Sequence, residues 1–373
     1  MINILFISTL NLASNPRLVK EVRLAIASGY SVSVVCFTFE NWSKKINEAL
    51  LSELKGVQWI LLSGNQRPFL PWLASVLEEK ICRIFAKTGT RNKRILASAI
   101  SRRNRLLLFA LSRVHRADLV VGHNPGAIYA TFRAAQYFNC RSGFDVEDYH
   151  PGEGQNMNMH AFSRRLMKEC LPSMNYVSFA APLILQAVRN DLEKENPNWL
   201  TVQNYFPERE FIVPNQTFGP LKLVWFSQHI AFGRGLEHIL PLLPAFEREI
   251  EFHLYGELDP VFYNVYLKDL ENVKVNLPVT QKELHHNLSY YDVGLALELP
   301  VDVNRDLCIT NKLLAYCQAG LYVWATPTSA QVEFFNHNIG LGITSNVLDR
   351  TEVEKTLIKL VEQKVVDSHQ INN

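Results

Sequence analysis

The sequence predicts an α/β protein built from two doubly wound parallel sheets in tandem. Short apolar runs alternate with segments of helical periodicity, as expected when helices cover both faces of buried strands. This alternation stops near residue 210 and then restarts, and 373 residues are enough for two domains of ordinary size. We therefore expect two Rossmann-like domains that face each other across a cleft.

The first half contains five apolar runs that predict strands, at residues 1–8, 31–37, 57–62, 118–121 and 142–146. Segments with helical spacing lie between them, at residues 17–27, 42–54, 72–87, 91–115 and 126–138. Gly29 stands where a helix C-cap is expected, and Pro71 stands just before the third helix. The order is that of repeated strand–helix–strand units.

In the second half, the predicted strands are residues 221–226, 250–255, 273–276, 293–297 and 321–325. Helices are expected at residues 236–246, 281–289, 311–319 and 352–363, the first of them shortened or bent by Pro241 and Pro244. The expected domains are therefore residues 1–205 and 221–350, with a proline-containing linker at 206–220 and a C-terminal helix and tail at 351–373.

The composition is that of an ordinary globular protein, with 47% hydrophobic and 20% charged residues and a net charge of +2. It excludes a disordered chain, a collagen-like repeat and a small disulfide-stabilised scaffold. The six cysteines are scattered without C-x-x-C spacing, which is typical of free thiols in a reducing cytosol. The sequence contains no signal peptide pattern and no apolar run long enough to span a bilayer, so we expect a cytoplasmic protein, either soluble or peripheral at the inner face of the membrane.

Polar and ionisable residues follow several of the predicted strands. In open parallel sheets, ligands bind outside the carboxyl ends of the strands, so these residues are site candidates. In the first half they are Asn11, His123, Asn124, Glu147, Asp148 and His150, and in the second half they are residues 227–229, Gly256, Glu257 and Glu298.

Two cationic helix starts in the second half predict a phosphate site. The turn after the first strand, STLNLASNPR, lacks the glycines of a dinucleotide-binding loop, and the chain has no G-x-x-x-x-G-K-[ST] motif. Gly233-Arg234-Gly235 follows a strand and precedes a helix, so backbone N–H groups and a fixed cation can meet one phosphate. Asn311, a candidate N-cap, and Lys312 open another helix. Two such elements suggest a diphosphate, although a glycine turn with an exposed Arg remains the alternative for the first.

A series of motifs runs along the chain in both halves. The C-terminal motifs are residues 292–298 (DVGLALE), 311–320 (NKLLAYCQAG), 321–326 (LYVWAT) and the Arg234-Gly235 pair. The N-terminal ones are residues 15–21 (NPRLVKE), 145–153 (DVEDYHPGE) and 202–207 (VQNYFP). The series covers nearly the whole chain, and in its residues and order it resembles the retaining glycosyltransferase group 1, or family 4, which has the GT-B fold.

The resemblance implies metal-independent, retaining transfer of a sugar from a UDP- or GDP-linked donor to a glycan or lipid-linked acceptor, in surface polysaccharide biosynthesis and without a cofactor. It implies that Arg234 and Lys312 neutralise the leaving diphosphate, where removal of one such group costs about 10²- to 10³-fold in rate. The expected donor-binding residues are Gly233, Arg234, Gly235, Asn311, Lys312, His229 and Gly256. The expected catalytic residues are His150, Asp148 and Glu298.

The sequence departs from the family pattern at two carboxylates. Leu307 and Ala315 occupy the matching positions, the second of which contacts ribose in the family; Glu298 or Asp306 can replace the first. His229 matches a phosphate-binding Arg. A non-catalytic GT-B-like binding subunit and a GT-B-fold sugar-nucleotide epimerase therefore remain alternatives. A D-x-D-like metal site at residues 145–148 is disfavoured, because that element belongs to a fold with one nucleotide-binding sheet.

A basic block between Lys80 and Arg116 contains 11 Lys or Arg and no Asp or Glu. Residues 91–116 contain neither Gly nor Pro, which predicts one long helix with Thr90 as its N-cap. At about 100° per residue, six arginines share one face of that helix: Arg91, Arg94, Arg102, Arg105, Arg113 and Arg116. We expect this face to bind an anionic membrane, at about 1 kcal/mol per cation.

Two plainer interpretations of the basic block remain open. The arginine face can simply be solvated, as most basic stripes are. The neighbouring aromatics Phe69, Trp72 and Phe85 can belong to the core instead of forming an interfacial anchor. No nucleic-acid-binding motif accompanies the basic block, so nucleic acid is not expected as a partner.

Overall fold

The computed structural model describes residues 1–193, 197–212 and 219–371 and divides into two compact α/β units. The first unit comprises Met1–Gln203 together with Asp302–Asn304, and the second comprises Asn204–Val301 and the chain from Arg305 onward. Residues 213–218 of the expected linker and residues 372–373 of the expected tail lie outside the described residues.

The first unit is a seven-stranded parallel sheet in the order β3-β2-β1-β4-β5-β6-β7. Its strands are β1 (Asn3–Ser8), β2 (Ser31–Thr38), β3 (Gln58–Ser63), β4 (Leu119–His123), β5 (Arg141–Val146), β6 (Tyr176–Phe179) and β7 (Trp199–Thr201). Its helices are α1 (Pro16–Ala27), α2 (Lys44–Glu53), α3 (Phe69–Lys87), α4 (Lys93–Ile100), α5 (Arg103–Ala110), α6 (Ile128–Phe138), α7 (Met157–Cys170) and α8 (Pro182–Leu192).

The second unit is a six-stranded parallel sheet in the order β10-β9-β8-β11-β12-β13. Its strands are β8 (Leu221–Ile230), β9 (Ile250–Leu258), β10 (Val273–Asn276), β11 (Val293–Ala296), β12 (Tyr322–Ala325) and β13 (Gly342–Thr344). Its helices are α9 (Pro260–Phe262), α10 (Gln281–Asn287), α11 (Val303–Leu307, whose first residues belong to the first unit), α12 (Asn311–Gln318), α13 (Ser329–His337) and α14 (Arg350–Ile371).

Alternate residues of β1 pack into separate cores on the two faces of the first sheet. Leu5 and Ile7 belong to one cluster, and Ile4 and Phe6 belong to the other. Such two-sided burial explains why the strand is a continuous apolar run without polar alternation. The predicted α/β class with two doubly wound sheets is therefore confirmed.

The predicted single helix over residues 91–115 is wrong. Asn92, and not Thr90, caps α4, because its side chain accepts the backbone N–H groups of Arg94 and Ile95. Ser101 then adopts an extended conformation (φ −149°, ψ 124°) and ends the helix, and α5 begins at Arg103. A short 3-10 turn completes the segment. The arginines therefore lie on several elements and do not form one helical face.

Other elements differ in extent from the sequence prediction. Helix α3 begins at Phe69, so Pro71 lies within its first turn, where a missing N–H costs no helical hydrogen bond. Residues 236–246 form 3-10 segments, Leu236–His238 and Leu240–Phe246, because their prolines do not support a regular α-helix. In the part of the chain that the structure describes, no helix is long and apolar enough to cross a bilayer.

Candidate functional site

Arg234 lies in a tight glycine turn after β8 in the second unit. Gly233 (φ 73°) and Gly235 (φ 88°) both adopt left-handed backbone conformations that favour glycine. A Cβ atom on Gly235 would lie 3.4 Å from the Cβ atom of Leu297, so the turn approaches the residue that follows β11. Arg234 is half-buried and has no hydrogen-bonding or ionic partner among the described residues. A cation is thus held at the carboxyl edge of the second sheet.

Lys312, at the start of α12, forms an ion pair with Glu298, which follows β11. The Lys312 Nζ atom lies 2.6 Å from Glu298 Oε1, and both side chains are largely buried. Thr326 fixes the Glu298 backbone, since its hydroxyl accepts the Glu298 N–H at 2.9 Å and donates to the Glu298 carbonyl at 2.7 Å. The start of α12 therefore already carries a matched cation and anion.

The residue that caps α12 is Thr310, and the expected cap Asn311 is its first helical residue. Thr310 Oγ1 accepts the Leu313 N–H at 3.2 Å, as an N-cap hydroxyl does. The Asn311 side-chain oxygen instead accepts a hydrogen bond from the Asn204 amide at 2.8 Å. Asn311 thus remains at the helix start, but in a different role.

His229 and Gly256 lie at the adjacent ends of β8 and β9. The His229 Nδ1 atom is 3.3 Å from a carboxylate oxygen of Glu257, and both side chains are exposed. A Cβ atom on Gly256 (φ 154°) would lie 2.6 Å from the carbonyl oxygen of Ser227. Only glycine fits this close approach, which occurs beside a bulge between Phe226 and His229.

The two positions that lack the family's carboxylates differ in their surroundings. Ala315 is fully buried within the core of the second unit, and Leu307, at the end of α11, is half-buried. Asp306 accepts hydrogen bonds from the backbone and the hydroxyl of Ser329, at 2.8 and 2.6 Å. Its carboxylate is therefore already committed to the start of α13.

In the first unit, a buried ion pair joins α1 to β5. Arg17 donates to both carboxylate oxygens of Asp145 at 2.6 Å, and Ser178 at the end of β6 donates to Asp145 at 2.7 Å. Burial raises the pKa of Asp145, but the Arg17 guanidinium outweighs burial and lowers it below its usual value. Asp145 is therefore ionised, and both of its oxygens are occupied.

His123, the last residue of β4, is fully buried among carboxylates. Its Nδ1 atom lies 3.2 Å from Glu147 and 3.7 Å from Asp145, and its Nε2 atom lies 3.4 Å from Glu21. Burial alone lowers the pKa of His123, but Glu21, Glu147 and Asp145 together raise it to about 10. The imidazole is therefore protonated near neutral pH.

Three of these side chains, Glu21, His123 and Asp145, offer ligand atoms within 4.8 Å of one another, as a metal site requires. The bidentate Arg17–Asp145 pair places a guanidinium directly beside them. Because a fixed cation next to the ligands opposes a second one, this chemistry suits a protonated imidazole better than a metal ion.

His150 and Asp148 lie in the loop after β5. The His150 Nδ1 atom is 3.0 Å from Glu153 Oε2, whereas its Nε2 atom is buried without a hydrogen-bond partner among the described residues. Burial lowers the pKa of His150, but its hydrogen bond with Glu153 and the nearby Asp148 carboxylate raise it overall. Asp148 accepts from the Asn304 amide at 2.9 Å, and the Asn304 side-chain oxygen accepts the Tyr149 N–H at 2.6 Å.

Arg17 and Glu21 belong to the motif at residues 15–21, but the sequence alone predicts no function for either of them. Their spacing of four residues places both on one face of α1, which was the available signal. Ser178 was missed because the short strand β6 was not recognised. His123, in contrast, was a candidate because it follows an apolar strand.

Two parallel α/β sheets of this topology, with the structural likeness described next, define the GT-B fold. Over 98% of its length the chain is similar to Anabaena HepE in complex with UDP, with a TM-score of 0.63, 13% identity and 91% of that chain covered. It is also similar to a glycosyltransferase from Rickettsia africae (TM-score 0.61, 13% identity, 97% of this chain and 88% of that chain).

A third similar structure is S. aureus TarM, a mutant in complex with fondaparinux, α-GlcNAc-glycerol and UDP. The TM-score is 0.65 at 9% identity, over 98% of this chain and 94% of that chain. No protein-family profile matches the sequence, and no curated protein matches it either. At these identities the likeness establishes the fold.

Proposed function

We propose that this protein is a glycosyltransferase that moves a sugar from a UDP- or GDP-linked donor to a glycan or lipid-linked acceptor, with retention and without a metal ion, in surface polysaccharide biosynthesis. The bond between the anomeric carbon and the diphosphate oxygen breaks, an acceptor hydroxyl oxygen bonds to the anomeric carbon on the same face of the sugar, and the hydroxyl proton passes to the leaving diphosphate. The observation that carries the proposal is Arg234, a cation at the carboxyl edge of the second sheet that has no hydrogen-bonding or ionic partner in the described part of the chain.

The donor diphosphate is proposed to bind between the Arg234 turn and the start of α12. A guanidinium and an ammonium there stabilise the negative charge that develops on the leaving diphosphate. The eight-residue helix α12 adds the partial positive charge of its N-terminus. Before the donor binds, the Glu298 carboxylate pairs with the Lys312 ammonium, and phosphate oxygens of the donor then replace the carboxylate. Gly256 and His229 lie at the same carboxyl edge of the second sheet.

The acceptor is proposed to contact the loop after β5, where His150 and Asp148 are the proposed catalytic side chains. No described residue forms a hydrogen bond with the buried Nε2 atom of His150, and Glu153 holds the ring in place through its other nitrogen. Such a preorganised polar group is suited to fix an acceptor hydroxyl or a donor sugar.

A donor panel tests the proposal. Release of free nucleotide is measured with UDP- and GDP-linked sugars and glycan acceptors, and we expect Arg234→Ala and Lys312→Ala each to reduce turnover about 10²- to 10³-fold. Arg248→Ala and Lys282→Ala are matched controls, because both side chains are exposed on the same unit. No turnover on any donor, with unchanged nucleotide binding in the two site variants, would overturn the proposal.

A non-catalytic GT-B-like binding subunit is the second candidate, and the apolar residues Leu307 and Ala315 favour it. The same panel separates both functions from each other and from a GT-B-fold sugar-nucleotide epimerase. A binding subunit would bind nucleotide through Arg234 and Lys312 without ever releasing sugar, and an epimerase would convert the donor without consuming an acceptor.

A further inference from the structure

Helix α3 turns small residues inward and large apolar residues outward. Ser75, Cys82 and Ala86 are buried, although none of them is a bulky hydrophobic side chain. The residues that we call the α3 stripe are between 50% and 75% exposed: Leu70, Leu77, Ile81, Ile84 and Phe85. At about 100° per residue they occupy an arc of roughly 100° on one side of the helix.

Helix α3 packs in the first unit through the side that carries its small residues and through the flank that carries Glu78. Glu78 accepts hydrogen bonds from Ser98 on α4 at 2.9 Å and from Arg105 on α5 at 2.6 Å. Arg83 donates to the backbone carbonyl of Ala99 at 3.1 Å. Neighbouring helices therefore cover the polar and small-residue side and leave the stripe in water, and contiguous apolar exposure of this kind marks an interaction surface.

The charges around the stripe select its partner. Both acidic residues of α3 are partly buried and paired, Glu78 with Arg105 and Glu79 with Arg83. Lys80 and Lys87 are exposed beside the stripe and have no carboxylate partner among the described residues. An apolar stripe bordered by free ammonium groups complements acyl chains beneath anionic headgroups.

We propose that α3 lies in the interface of an anionic lipid bilayer, with the α3 stripe inserted and Lys80 and Lys87 on the headgroups. This relocates the membrane contact expected from the arginines. Four of the six are held in ion pairs with carboxylates: Arg91, Arg94, Arg105 and Arg116. Arg102 donates to the Gly64 carbonyl at 2.6 Å. The docking does not depend on the transfer reaction proposed above.

Vesicle flotation of the full chain tests the proposal, with phosphatidylcholine vesicles compared with phosphatidylcholine–phosphatidylglycerol vesicles. We expect Leu70→Ser/Leu77→Ser/Ile84→Ser to lose binding at least tenfold. The control Leu24→Ser/Leu277→Ser/Ile339→Ser removes apolar residues elsewhere that are 68% to 90% exposed, and it should float like the wild type. Lys80→Glu/Lys87→Glu should weaken binding to the anionic vesicles by about fivefold or more per residue.

A measurement on the unmodified protein keeps the test independent of variant folding. Vesicles should slow amide hydrogen exchange in α3 of the wild type and leave α14 unchanged. Equal flotation of the stripe variant and the wild type would overturn the proposal. A second result would also overturn it: the wild type does not float with vesicles and sediments as a dimer, whereas the stripe variant sediments as a monomer. The stripe would then join two copies of the chain.

Discussion

Replacing His123 by Gln should destabilise the first unit by about 3–5 kcal/mol near neutral pH. The imidazolium is fully buried, and Glu21, Glu147 and Asp145 raise its pKa from 6.5 to about 10. At about 1.4 kcal/mol for each pKa unit, this difference sets a ceiling near 5 kcal/mol. Gln removes the positive charge that faces three carboxylates, although Arg17 still pairs with Asp145, and removing one partner from a buried charge set typically costs about 3–5 kcal/mol.

The stabilisation by His123 has a defined pH dependence. Because its pKa is higher in the folded state, the folded protein binds the proton more tightly than the unfolded chain does. The contribution is fully present below about pH 6.5 and is lost as the pH rises through 10. The stability difference between wild type and His123→Gln should shrink over this interval.

Hydrogen exchange measured on peptides that cover β4 and β5 reports the opening free energy of the first unit, whatever the second unit does. His115→Gln is the matched control, because His115 is exposed on the same unit. The double variant His123→Gln/Glu147→Gln should recover part of the loss, since it removes one of the facing carboxylates. The reasoning would be refuted if the free energy of unfolding of His123→Gln lay within about 0.5 kcal/mol of the wild-type value, which is the usual range for surface substitutions, and had the same pH dependence.

Three further predictions concern the second unit. Gly256→Ala should cost about 1–3 kcal/mol in thermal unfolding, because the new Cβ meets a backbone oxygen at 2.6 Å, and more than Gly340→Ala (φ 89°), which meets open space. Ala315→Glu buries an unpaired carboxylate and should cost several kcal/mol in urea unfolding; normal stability with tighter UDP binding would contradict the buried placement. Glu298→Gln frees Lys312 and should tighten UDP binding severalfold by calorimetry, whereas weaker binding would assign Glu298 to the ligand.

Most of the strands in each sheet were predictable because buried strands leave continuous apolar runs. Short strands such as β7 (Trp199–Thr201) leave too few residues for a pattern. The break between α4 and α5 at Ser101 was also not predicted, because hydrophobic periodicity does not show which side chains cap or end a helix. Asn92 and Ser101 could each have been placed in a helix or at its end.

The candidate site was predictable where one strand end carries its own polar residue, as with Glu298. It was not predictable where the chemistry depends on pairing across the sheet. Arg17 and Asp145 are 128 residues apart, and only the adjacency of β1, β4 and β5 brings their elements together. The pairing of Lys312 with Glu298 likewise required the geometry at the ends of β11 and α12.

The short segment Asp302–Asn304 makes the first unit discontinuous in sequence, which bears on any attempt to divide the protein. A fragment that stops at residue 203 would lack Asn304, whose side chain holds both the Tyr149 N–H and the Asp148 carboxylate. The loop after β5 would lose these two hydrogen bonds, although the sheet beneath it would be whole. A fragment chosen only by its position in the sequence would thus lack a contact that belongs to the first unit.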